Sequence, residues 1–313
     1  MDDSVPLTHQ PVMLQEVLAG LAIRPDGVYV DGTFGRGGHS AAILAALGET
    51  GWLLALDRDP QAGQFAQTQF GNDPRFIFER CPFGRLAEVA ERHGFNGRVH
   101  GILLDVGVSS PQLDNPQRGF SFVKEGPLDM RMDPTTGESA AQWLAHCSEE
   151  TLSQVLKTLG EERFHRRIAR AVTQARLQEP LSNTLQLARI ISAAVPTREP
   201  GKHPATRSFQ AIRIFLNQEL EELQTTLQQT LQLLAPAGRL VVISFHSLED
   251  RLVKRFIREQ VNGPGLPHDL PVTQSQLRTT LKQITRAVRP SPTEVARNPR
   301  ARSAVMRVAE RLA

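Results

Sequence analysis

Three acidic residues, each at the end of a short apolar run, are the side chains of this 313-residue chain best suited to hold a ligand: Asp31, Asp57 and Asp105. Asp31 leads directly into a glycine-rich loop that runs to His39. A glycine loop after a strand usually lets backbone N–H groups approach a pyrophosphate, and a carboxylate beside it repels that anion. Asp31 therefore indicates a nucleotide-like ligand that carries positive charge.

S-adenosylmethionine is the common molecule of that kind, because it has an adenosine, a sulfonium, an ammonium and no phosphate. Asp57, at the end of the second apolar run, is placed to accept hydrogen bonds from two ribose hydroxyls, as a carboxylate does there for nucleoside cofactors. We expect Asp31 and Asp105 to lie near the cationic methionine end and the adenine amine.

The loop glycines at 35, 37 and 38 let the backbone pass close to the methionine portion, where a Cβ atom would collide. They do not fit the dinucleotide fingerprint G-x-G-x-x-G, and the pattern favours a methyltransferase over a dinucleotide enzyme. His39 either contacts the ligand or simply opens a helix. Phe83, after the third apolar run, covers the adenine ring or belongs to the core.

The segment Asp105-Val-Gly-Val-Ser-Ser-Pro-Gln-Leu-Asp114 is the candidate for the methyl-acceptor side. Enzymes that methylate exocyclic base amines often place Asp, Asn or Ser before Pro-Pro-aromatic here, because acceptor oxygens that hold both amine hydrogens make the nitrogen more tetrahedral and more nucleophilic. Ser110-Pro111 matches half of the pattern, and a tight Ser-Pro turn is the alternative. Phe120 and Phe122 offer stacking surfaces. With no His/Cys metal spacing and no nucleophilic cysteine arrangement, we predict direct in-line transfer without a metal.

The elements that must position these residues alternate between strand and helix. The predicted strands are Val28–Asp31, Trp52–Leu56, Phe76–Phe78 and Ile102–Leu104, with helices over Ala41–Leu47 and Pro60–Gln69. This alternation predicts an α/β fold with a parallel sheet covered on both faces.

The alternation stops after Asp105 and resumes after residue 206. Between them, several helical stretches predict an inserted helical domain over 111–206, within a methyltransferase domain formed by 1–110 and 207–313. We expect the insert to recognise RNA or substrate, since one of its helices carries Arg163, Arg166, Arg167, Arg170 and Arg176. The later predictions are one long helix from Phe209 to Leu234, a strand from Arg239, a helix over Glu249–Glu259, and strand candidates Ile284–Val288 and Ala304–Val308.

Charge and cysteine content restrict the function classes. Only Cys81 and Cys147 are present, so we expect no disulfide framework and a cytoplasmic protein, with neither a signal peptide nor a membrane span. The net charge is +3, but residues 251–313 hold 13 Lys and Arg against 4 Asp and Glu. Arginine outnumbers lysine 31 to 5, which fits either a phosphate-rich partner or a GC-rich genome.

Eight motifs in this order resemble the MraW family, the bacterial small-subunit ribosomal RNA methyltransferase H family. They are Asp-Gly-Thr-Phe-Gly-Arg-Gly-Gly-His-Ser (31 to 40), Leu-Asp-Val-Gly-Val-Ser-Ser-Pro-Gln-Leu (104 to 113), Arg-Gly-Phe-Ser-Phe (118 to 122), Pro-Leu-Asp-Met-Arg-Met-Asp (127 to 133), Gly-Glu-Glu-Arg (160 to 163), His-Pro-Ala-Thr-Arg-Ser-Phe-Gln-Ala-Ile-Arg (203 to 213), Ile-Ser-Phe-His-Ser-Leu-Glu-Asp-Arg (243 to 251) and Asn-Pro-Arg-Ala-Arg-Ser (298 to 303). The resemblance implies N4-methylation of a cytidine in the decoding region of 16S rRNA.

The same resemblance implies a class I S-adenosylmethionine-dependent fold: a Rossmann-like, mostly parallel seven-stranded sheet with a helical insert after the fourth strand. The cofactor contacts that it implies are Gly37, Gly38, His39, Asp57, Phe83, Asp105 and Gln112. Gln112, which breaks the amine-methylation pattern, thus becomes a cofactor ligand. Free RNA and the assembled small subunit both remain open as substrate, and so do a monomer and a homodimer.

The catalytic group stays open as well. Ser110, Pro111 and Asp105 are the first candidates, and Asp129, Arg131, Asp133 and His246 are others that would position the base; structural salt bridges are the alternative for the three in the 127–133 segment.

Two rival functions need testing. A nicotinamide-dependent oxidoreductase is disfavoured by Asp31, and a non-catalytic ribosome-assembly factor is disfavoured by the intact strand-end acids and glycines.

Overall fold

The computed structural model describes residues 11–197, 201, 203–263 and 279–313. The chain divides into two compact units, the first formed by Met1–Gly107 with Leu220–Ala313 and the second by Val108–Glu219. The helices, in chain order, are α1 Leu14–Leu21, α2 Gly38–Ala46, α3 Pro60–Phe70, α4 Leu86–Arg92, α5 Ser110–Asp114, α6 Ala140–His146, α7 Glu149–Gly160, α8 His165–Ala175, α9 Thr184–Ala194, α10 Thr206–Asn217, α11 Glu219–Leu233, α12 Ser247–Asn262 and α13 Pro292–Arg297.

The first unit is built on a seven-stranded sheet. Its strands are β1 Val28–Asp31, β2 Trp52–Asp57, β3 Phe76–Arg80, β4 Val99–Asp105, β5 Leu234–Ser244, β6 Leu281–Gln283 and β7 Val305–Arg311. The spatial order is β3-β2-β1-β4-β5-β7-β6, and β7 runs antiparallel to the other six of these strands. The predicted Rossmann-like, mostly parallel seven-stranded sheet is confirmed.

Alternate residues of the central strands enter two separate cores, as the pleat requires. Val30 and Leu104 point to the face that also holds Leu223 of α11, whereas Tyr29 and Leu103 point to the face that holds Val17 of α1. Because both faces are covered, these strands read as continuous apolar runs rather than as alternating ones.

The strand order reverses at β1, whose neighbours are β2 on one side and β4 on the other. In open α/β sheets, ligands bind outside the carboxyl ends of the strands at such a switch point. Asp31, Asp57 and Asp105 are the last residues of β1, β2 and β4. The fold therefore gathers all three acids at the position where it places a ligand.

The second unit is helical. Its core includes Trp143 of α6, Leu156 of α7, Ile168 of α8, Leu187 of α9 and Phe209 of α10. Among its described residues the only β-type pairing is a single bridge between Pro127 and Asn183. The unit extends to Glu219 instead of ending at the predicted residue 206, because α10 packs into this core.

Two element predictions near the junctions are wrong. The single helix predicted from Phe209 to Leu234 is two helices, α10 and α11, separated at Gln218, which adopts a left-handed conformation with φ 51°. The strand candidate Ile284–Val288 lies beyond the actual strand β6, and Val288 makes only an isolated bridge to Met306.

The fifth strand also starts earlier than predicted, at Leu234. Its pairing with β4 is irregular between Val99 and Gly101, where the Pro236–Gly238 segment forms a bulge with Ala237 at φ 60°. No helix among the described residues is both long and apolar enough to cross a membrane.

Candidate active site

The glycine-rich loop crosses the carboxyl ends of β4 and β2 and is fastened to both. The Gly32 amide donates to the Leu103 carbonyl at 2.9 Å, and the Phe34 amide donates to the Leu56 carbonyl at 2.9 Å. The Gly35 amide then donates to Asp57 Oδ2 at 2.7 Å. These three bonds give the loop one path across the ligand-binding end of the sheet.

A Cβ atom at position 37 would collide with the protein's own side chains, and one at position 38 would make a tight contact. Gly37 has φ +67°, and a Cβ there would lie 2.7 Å from ring atoms of Phe34 and Phe70. A Cβ on Gly38 would lie 3.0 Å from Pro11 Cγ. The sequence interpretation attributed both glycines to close approach of a cofactor, whereas the structure shows an aromatic cluster and a proline as the crowding groups.

Asp31, the residue that indicated a cationic ligand, is 1 % exposed and serves the loop itself. Its Oδ1 accepts from the Thr33 amide at 3.1 Å, and its Oδ2 accepts from Ser40 Oγ at 2.7 Å. Burial raises the pKa of Asp31, although the charge of His39 and these hydrogen bonds oppose the increase. Asp31 thus joins β1, the loop and α2, and its charge contributes to the field of the site.

Asp57 combines a structural contact with capacity for a ligand. Its Oδ2 accepts from Gly35, and its Oδ1 accepts from the Asp59 amide at 2.8 Å. Burial raises the pKa of Asp57 to about 6; the two backbone hydrogen bonds lower it, and the charges of Asp59 and Asp31 raise it further. Because each carboxylate oxygen accepts more than one hydrogen bond, ribose hydroxyls still have acceptors here.

Asp105 has the least satisfied carboxylate of the three. Its backbone amide donates to Thr33 Oγ1 at 2.7 Å, and its Oδ2 lies 3.7 Å from His39 Nδ1. Its Oδ1 is buried and has no hydrogen-bond partner among the described residues. Burial raises the pKa of Asp105 to about 6; the charge of His39 lowers it, and those of Asp31 and Glu249 raise it.

A buried acceptor without a donor is costly unless a ligand supplies one. We call Asp31, Asp57 and Asp105 together the acidic rim. Each of them has a raised pKa because burial disfavours its charge, and Asp31 further raises the pKa of the other two. A ligand with positive charge and N–H or O–H donors lowers the free-energy cost of burying these carboxylates, whereas a pyrophosphate raises it. The residues therefore fit S-adenosylmethionine.

His39 is fixed beside the rim at the start of α2. It is 6 % exposed, and its Nε2 lies 3.0 Å from the Val12 carbonyl. Donation from Nε2 to that carbonyl directs the other ring nitrogen, Nδ1, toward Asp105. The ring is therefore buried and oriented rather than solvated, and its predicted contact with the cofactor stays a prediction.

Phe83 begins a short 3₁₀ turn, Phe83–Arg85, that one face of α11 holds in place. Thr226 Oγ1 donates to the Phe83 carbonyl at 3.2 Å, Glu222 Oε1 accepts from the Gly84 amide at 2.9 Å, and Gln229 Nε2 donates to the Gly84 carbonyl at 2.7 Å. Glu222 also forms an ion pair with Arg58, the residue after Asp57.

Our sequence reasoning missed this support for Phe83. The sequence pattern that could have indicated it is a set of three polar residues at helical spacing along a leucine-rich segment: Glu222, Thr226 and Gln229.

The acceptor candidates Ser110 and Pro111 and the predicted cofactor ligand Gln112 form the first turn of α5, in the second unit. Ser109 is the N-cap residue, and its amide donates to Gln112 Oε1 at 2.9 Å. Gln112 is 6 % exposed. The segment is therefore a capped helix start rather than the tight Ser-Pro turn that was the alternative interpretation, and Ser110 is its first residue.

Asp129, Arg131 and Asp133 belong to a loop whose charges are matched internally. Arg131 Nε and Nη2 donate to Asp129 Oδ1 and Oδ2 at 2.9 and 2.6 Å. Burial alone would raise the pKa of Asp129, but the hydrogen bonds from Arg131 hold it below its usual value. Asp133 Oδ1 accepts from Thr135 Oγ1 at 2.6 Å. This favours the salt-bridge interpretation for the pair Asp129–Arg131.

His246 is the N-cap residue of α12. Its Nδ1 lies 3.4 Å from the Glu249 amide, and its Nε2 lies 3.0 Å from Glu249 Oε1. Glu249 is 2 % exposed, and its Oε2 also accepts from the Phe245 amide at 2.8 Å. The structure thus assigns His246 a structural contact at the carboxyl end of β5, and its predicted role in positioning a base stays a prediction.

The arginines of the insert helix divide into two groups. Arg163, Arg166, Arg167 and Arg170 are exposed along α8 and the residues before it. Arg176 is half-buried, and its Nη1 donates to the carbonyls of Leu144 and Cys147 at 2.6 and 2.7 Å. Arg176 therefore caps the carboxyl end of α6 and, unlike the other four arginines, does not face solvent.

Within the first unit the structure brings Asp31, Asp57, Asp105 and His39 together at one end of the sheet. Gly37, Gly38, Phe83 and His246 also belong to the first unit, whereas the second unit holds Ser110, Pro111, Gln112, Asp129, Arg131 and Asp133.

Comparison with known proteins identifies the relatives of this chain. Residues 6–312 match the family model described as the MraW methylase family. The ribosomal RNA small subunit methyltransferase H of Thioalkalivibrio sulfidiphilus is 60 % identical over 306 residues, which are 97 % of this chain and 98 % of that protein.

Two solved structures resemble the chain at low identity. An rRNA methylase from Streptococcus thermophilus is 10 % identical with a TM-score of 0.42, covering 98 % of this chain and 99 % of that one. A SAM-dependent O-methyltransferase from Thermotoga maritima is 11 % identical with a TM-score of 0.41, covering 97 % of this chain and 68 % of that one. The family match over nearly the whole length and the 60 % identity show that this chain is a methyltransferase of the MraW methylase family.

Proposed function

We propose that this protein transfers a methyl group from S-adenosylmethionine to N4 of a cytidine in the decoding region of 16S ribosomal RNA. The observation that carries the choice of cofactor is the acidic rim, in which Asp105 Oδ1 is buried without a donor and the pKa values of Asp57 and Asp105 are raised to about 6. The choice of substrate is supported by the relative at 60 % identity, which is a ribosomal RNA small subunit methyltransferase.

The bound cofactor supplies an electrophilic methyl group on a sulfonium. In this proposal Asp57 accepts the ribose hydroxyls and Asp105 accepts donors from the cofactor, while His39 holds Asp105 in place. Gly37 and Gly38 keep the loop on its path, Phe83 covers the adenine, and Gln112 makes a further cofactor contact. Asp31 acts through its charge and through the loop, because it is almost fully buried and its oxygens face Thr33 and Ser40.

Ser110 and Pro111 are proposed to hold the acceptor amine and to make it more nucleophilic. The Ser110 hydroxyl and a backbone carbonyl beside Pro111 accept the two amine hydrogens, so that the nitrogen lone pair is released from the ring for attack. Asp129 and Arg131 satisfy each other and are proposed to fix their loop rather than to touch the base. The target base is turned out of its helix to reach the pocket.

RNA binding is proposed for the exposed arginines of the insert, Arg163, Arg166, Arg167 and Arg170, with the basic C-terminal residues. Guanidinium groups suit bidentate contact with phosphate. The proposed substrate is 16S rRNA in the cytoplasm, either free or within the small ribosomal subunit. If phosphate contacts dominate, affinity falls steeply as salt concentration rises.

The test is to incubate the purified protein with methyl-labelled S-adenosylmethionine and small subunits that lack the modification, and then to map the labelled nucleoside. We expect N4-methylcytidine at one position, with naked 16S rRNA compared in parallel. Ser110→Ala is expected to lower kcat and to leave cofactor affinity unchanged. Label on another base, or on protein, would refute the substrate assignment.

A further inference from the structure

A second concave site of the first unit lies away from the acidic residues, between α12 and the segment that joins β6 to β7. The cavity has a volume of about 330 Å³ and is lined by Lys254, Ile257 and Arg258 from α12, by Gln283, Arg286 and Ala287, and by Arg307 of β7. This volume is at the lower end of the roughly 300–1,000 Å³ typical of ligand pockets. No carboxylate is among the lining residues.

Three of the lining cations have no ion-pair partner among the residues that the structure describes. Lys254 and Arg258 are one turn apart on α12, and Arg286 is on the opposite wall. All three are exposed, and no ion pair joins any of them to an acid in the part of the chain that the structure describes. Like charges at this helical spacing repel each other, so the arrangement favours an anion between them.

Neighbouring cations behave differently. Arg307 Nε and Nη2 donate to Asp250 Oδ1 and Oδ2 at 2.7 and 3.0 Å, which neutralises this arginine. Arg255, on the same helix as Lys254, lies 3.9 Å from Glu259. Lys254, Arg258 and Arg286 thus differ from these two arginines, which are paired with acids.

The floor of the cavity is apolar. Ile257 is buried among the core residues, and Ala287 lies on the opposite side. A cavity with a small apolar floor and a cationic margin accepts a phosphate with its sugar. It is concave and offers no exposed large apolar side chain, so it does not suit a membrane surface, which an amphipathic element contacts through an exposed apolar face.

We propose that this cavity binds a backbone phosphate of the ribosomal RNA substrate, through Lys254, Arg258 and Arg286, and so anchors the RNA outside the methyl-transfer site. The inference rests on the proposed function, because it takes the ligand to be the RNA that is methylated. Each lost phosphate contact on single-stranded RNA is expected to reduce the slope of log affinity against log salt by about 0.7.

The test compares two triple variants of the full-length protein. The first carries Lys254→Gln, Arg258→Gln and Arg286→Gln. The matched control carries Arg24→Gln, Arg92→Gln and Arg98→Gln, which remove the same charge from exposed positions near the amino ends of β1 and β4. Affinity for small subunits and for a 16S rRNA fragment is measured by filter binding over a series of salt concentrations.

We expect the cavity variant to lose about tenfold or more in RNA affinity at low salt and to show a smaller salt slope, whereas the control keeps both close to wild type. Affinity for S-adenosylmethionine, measured by calorimetry, and the melting temperature should be unchanged in both variants, because all six side chains are on the surface. Equal RNA affinity and equal salt slope in the two variants would overturn the inference.

Two further arms separate other sources of the phosphate. Cytidine monophosphate and vesicles rich in anionic lipid are offered to wild type and cavity variant. If either binds in a way that needs the three cations while RNA affinity does not depend on them, the RNA assignment is wrong. If wild type binds no ribosomal RNA at all, the proposed function itself fails, and the calorimetric titration with S-adenosylmethionine shows whether the cofactor site survives that failure.

Discussion

Two regions hold several carboxylates in partly buried surroundings: the acidic rim of the first unit and the charged loop of the second, residues 115–137. They differ in whether those carboxylates are paired with a cation. In the charged loop, Asp129 has a bidentate arginine partner and a lowered pKa. In the rim, Asp57 and Asp105 have no such partner, and their pKa values rise to about 6. Internal pairing marks a carboxylate that shapes the protein, whereas unrelieved burial marks one that awaits a ligand.

Both regions also depend on glycines that nothing larger can replace. A Cβ on Gly119 would lie 2.4 Å from the Pro127 carbonyl oxygen in the charged loop, and one on Gly37 would meet two aromatic rings beside the rim. Tight backbone packing is thus common to the two loops. The treatment of charge is what separates the ligand site from the structural loop.

The largest effect is expected from adding a methyl group to the glycine loop. Gly37→Ala should destabilise the protein by about 3 kcal/mol, because it combines a left-handed backbone with overpacking against Phe34 and Phe70. Gly94→Ala is the matched control: Gly94 has φ +69° and nothing within 4 Å of a Cβ, so only the backbone cost of about 1 kcal/mol applies. Denaturant unfolding of both variants measures the difference, and equal losses would contradict the packing argument.

Asp105→Asn should come next and should separate binding from stability. We expect S-adenosylmethionine affinity to fall about 30-fold, since a charge-assisted hydrogen bond contributes roughly 2 kcal/mol. The melting temperature without cofactor should be unchanged or higher, because the variant removes a buried charge whose pKa burial has raised. Calorimetry and thermal unfolding check the two halves. A less stable protein with undiminished affinity would show that Asp105 is structural.

Asp129→Asn should show the reverse pattern. Losing the ionic partner of Arg131 should cost about 1–2 kcal/mol of stability, reduced by the partial exposure of both side chains, and cofactor affinity should not change. Urea unfolding measures the loss, and Asp133→Asn, at a partly exposed position of the same loop, is the control. A loss of cofactor affinity in Asp129→Asn would place this carboxylate with the rim.

The smallest effect concerns pH. Because the pKa values of Asp57 and Asp105 are raised to about 6, both carboxylates lose protons near that pH, and a cationic ligand prefers the ionised forms. Cofactor affinity should therefore increase by up to about tenfold from about pH 5 to pH 7. The stability of the cofactor-free protein should instead decrease as the pH rises from about 4 to about 6, since its folded state holds these protons more tightly than its unfolded state.

Calorimetric titrations at a series of pH values measure the first trend, and Asp105→Asn should flatten it. An affinity that is constant across this range, or that falls, would show that the rim is already ionised or that it does not face the cofactor.

Much of the first unit could be predicted from local pattern. The first four strands are continuous apolar runs because both faces of the sheet are covered, and three of them end on the rim carboxylates where the runs stop. The strand β6 escaped prediction because it has only three residues. The break at Gln218 escaped because neither glycine nor proline marks it; the helix ends there with Asn217 bonded to the Met130 and Arg213 carbonyls.

The family, the fold class and the acids at the strand ends could be predicted from the amino-acid sequence, because each of them depends on short contiguous segments. Tertiary structure alone decided which carboxylates are satisfied. Asp31 pairs with Ser40, Asp57 with Gly35 and Asp129 with Arg131, whereas Asp105 Oδ1 has no partner among the described residues. The physical reason is that desolvation and hydrogen bonding depend on atoms that approach from other parts of the chain, as when β4 brings Asp105 beside His39.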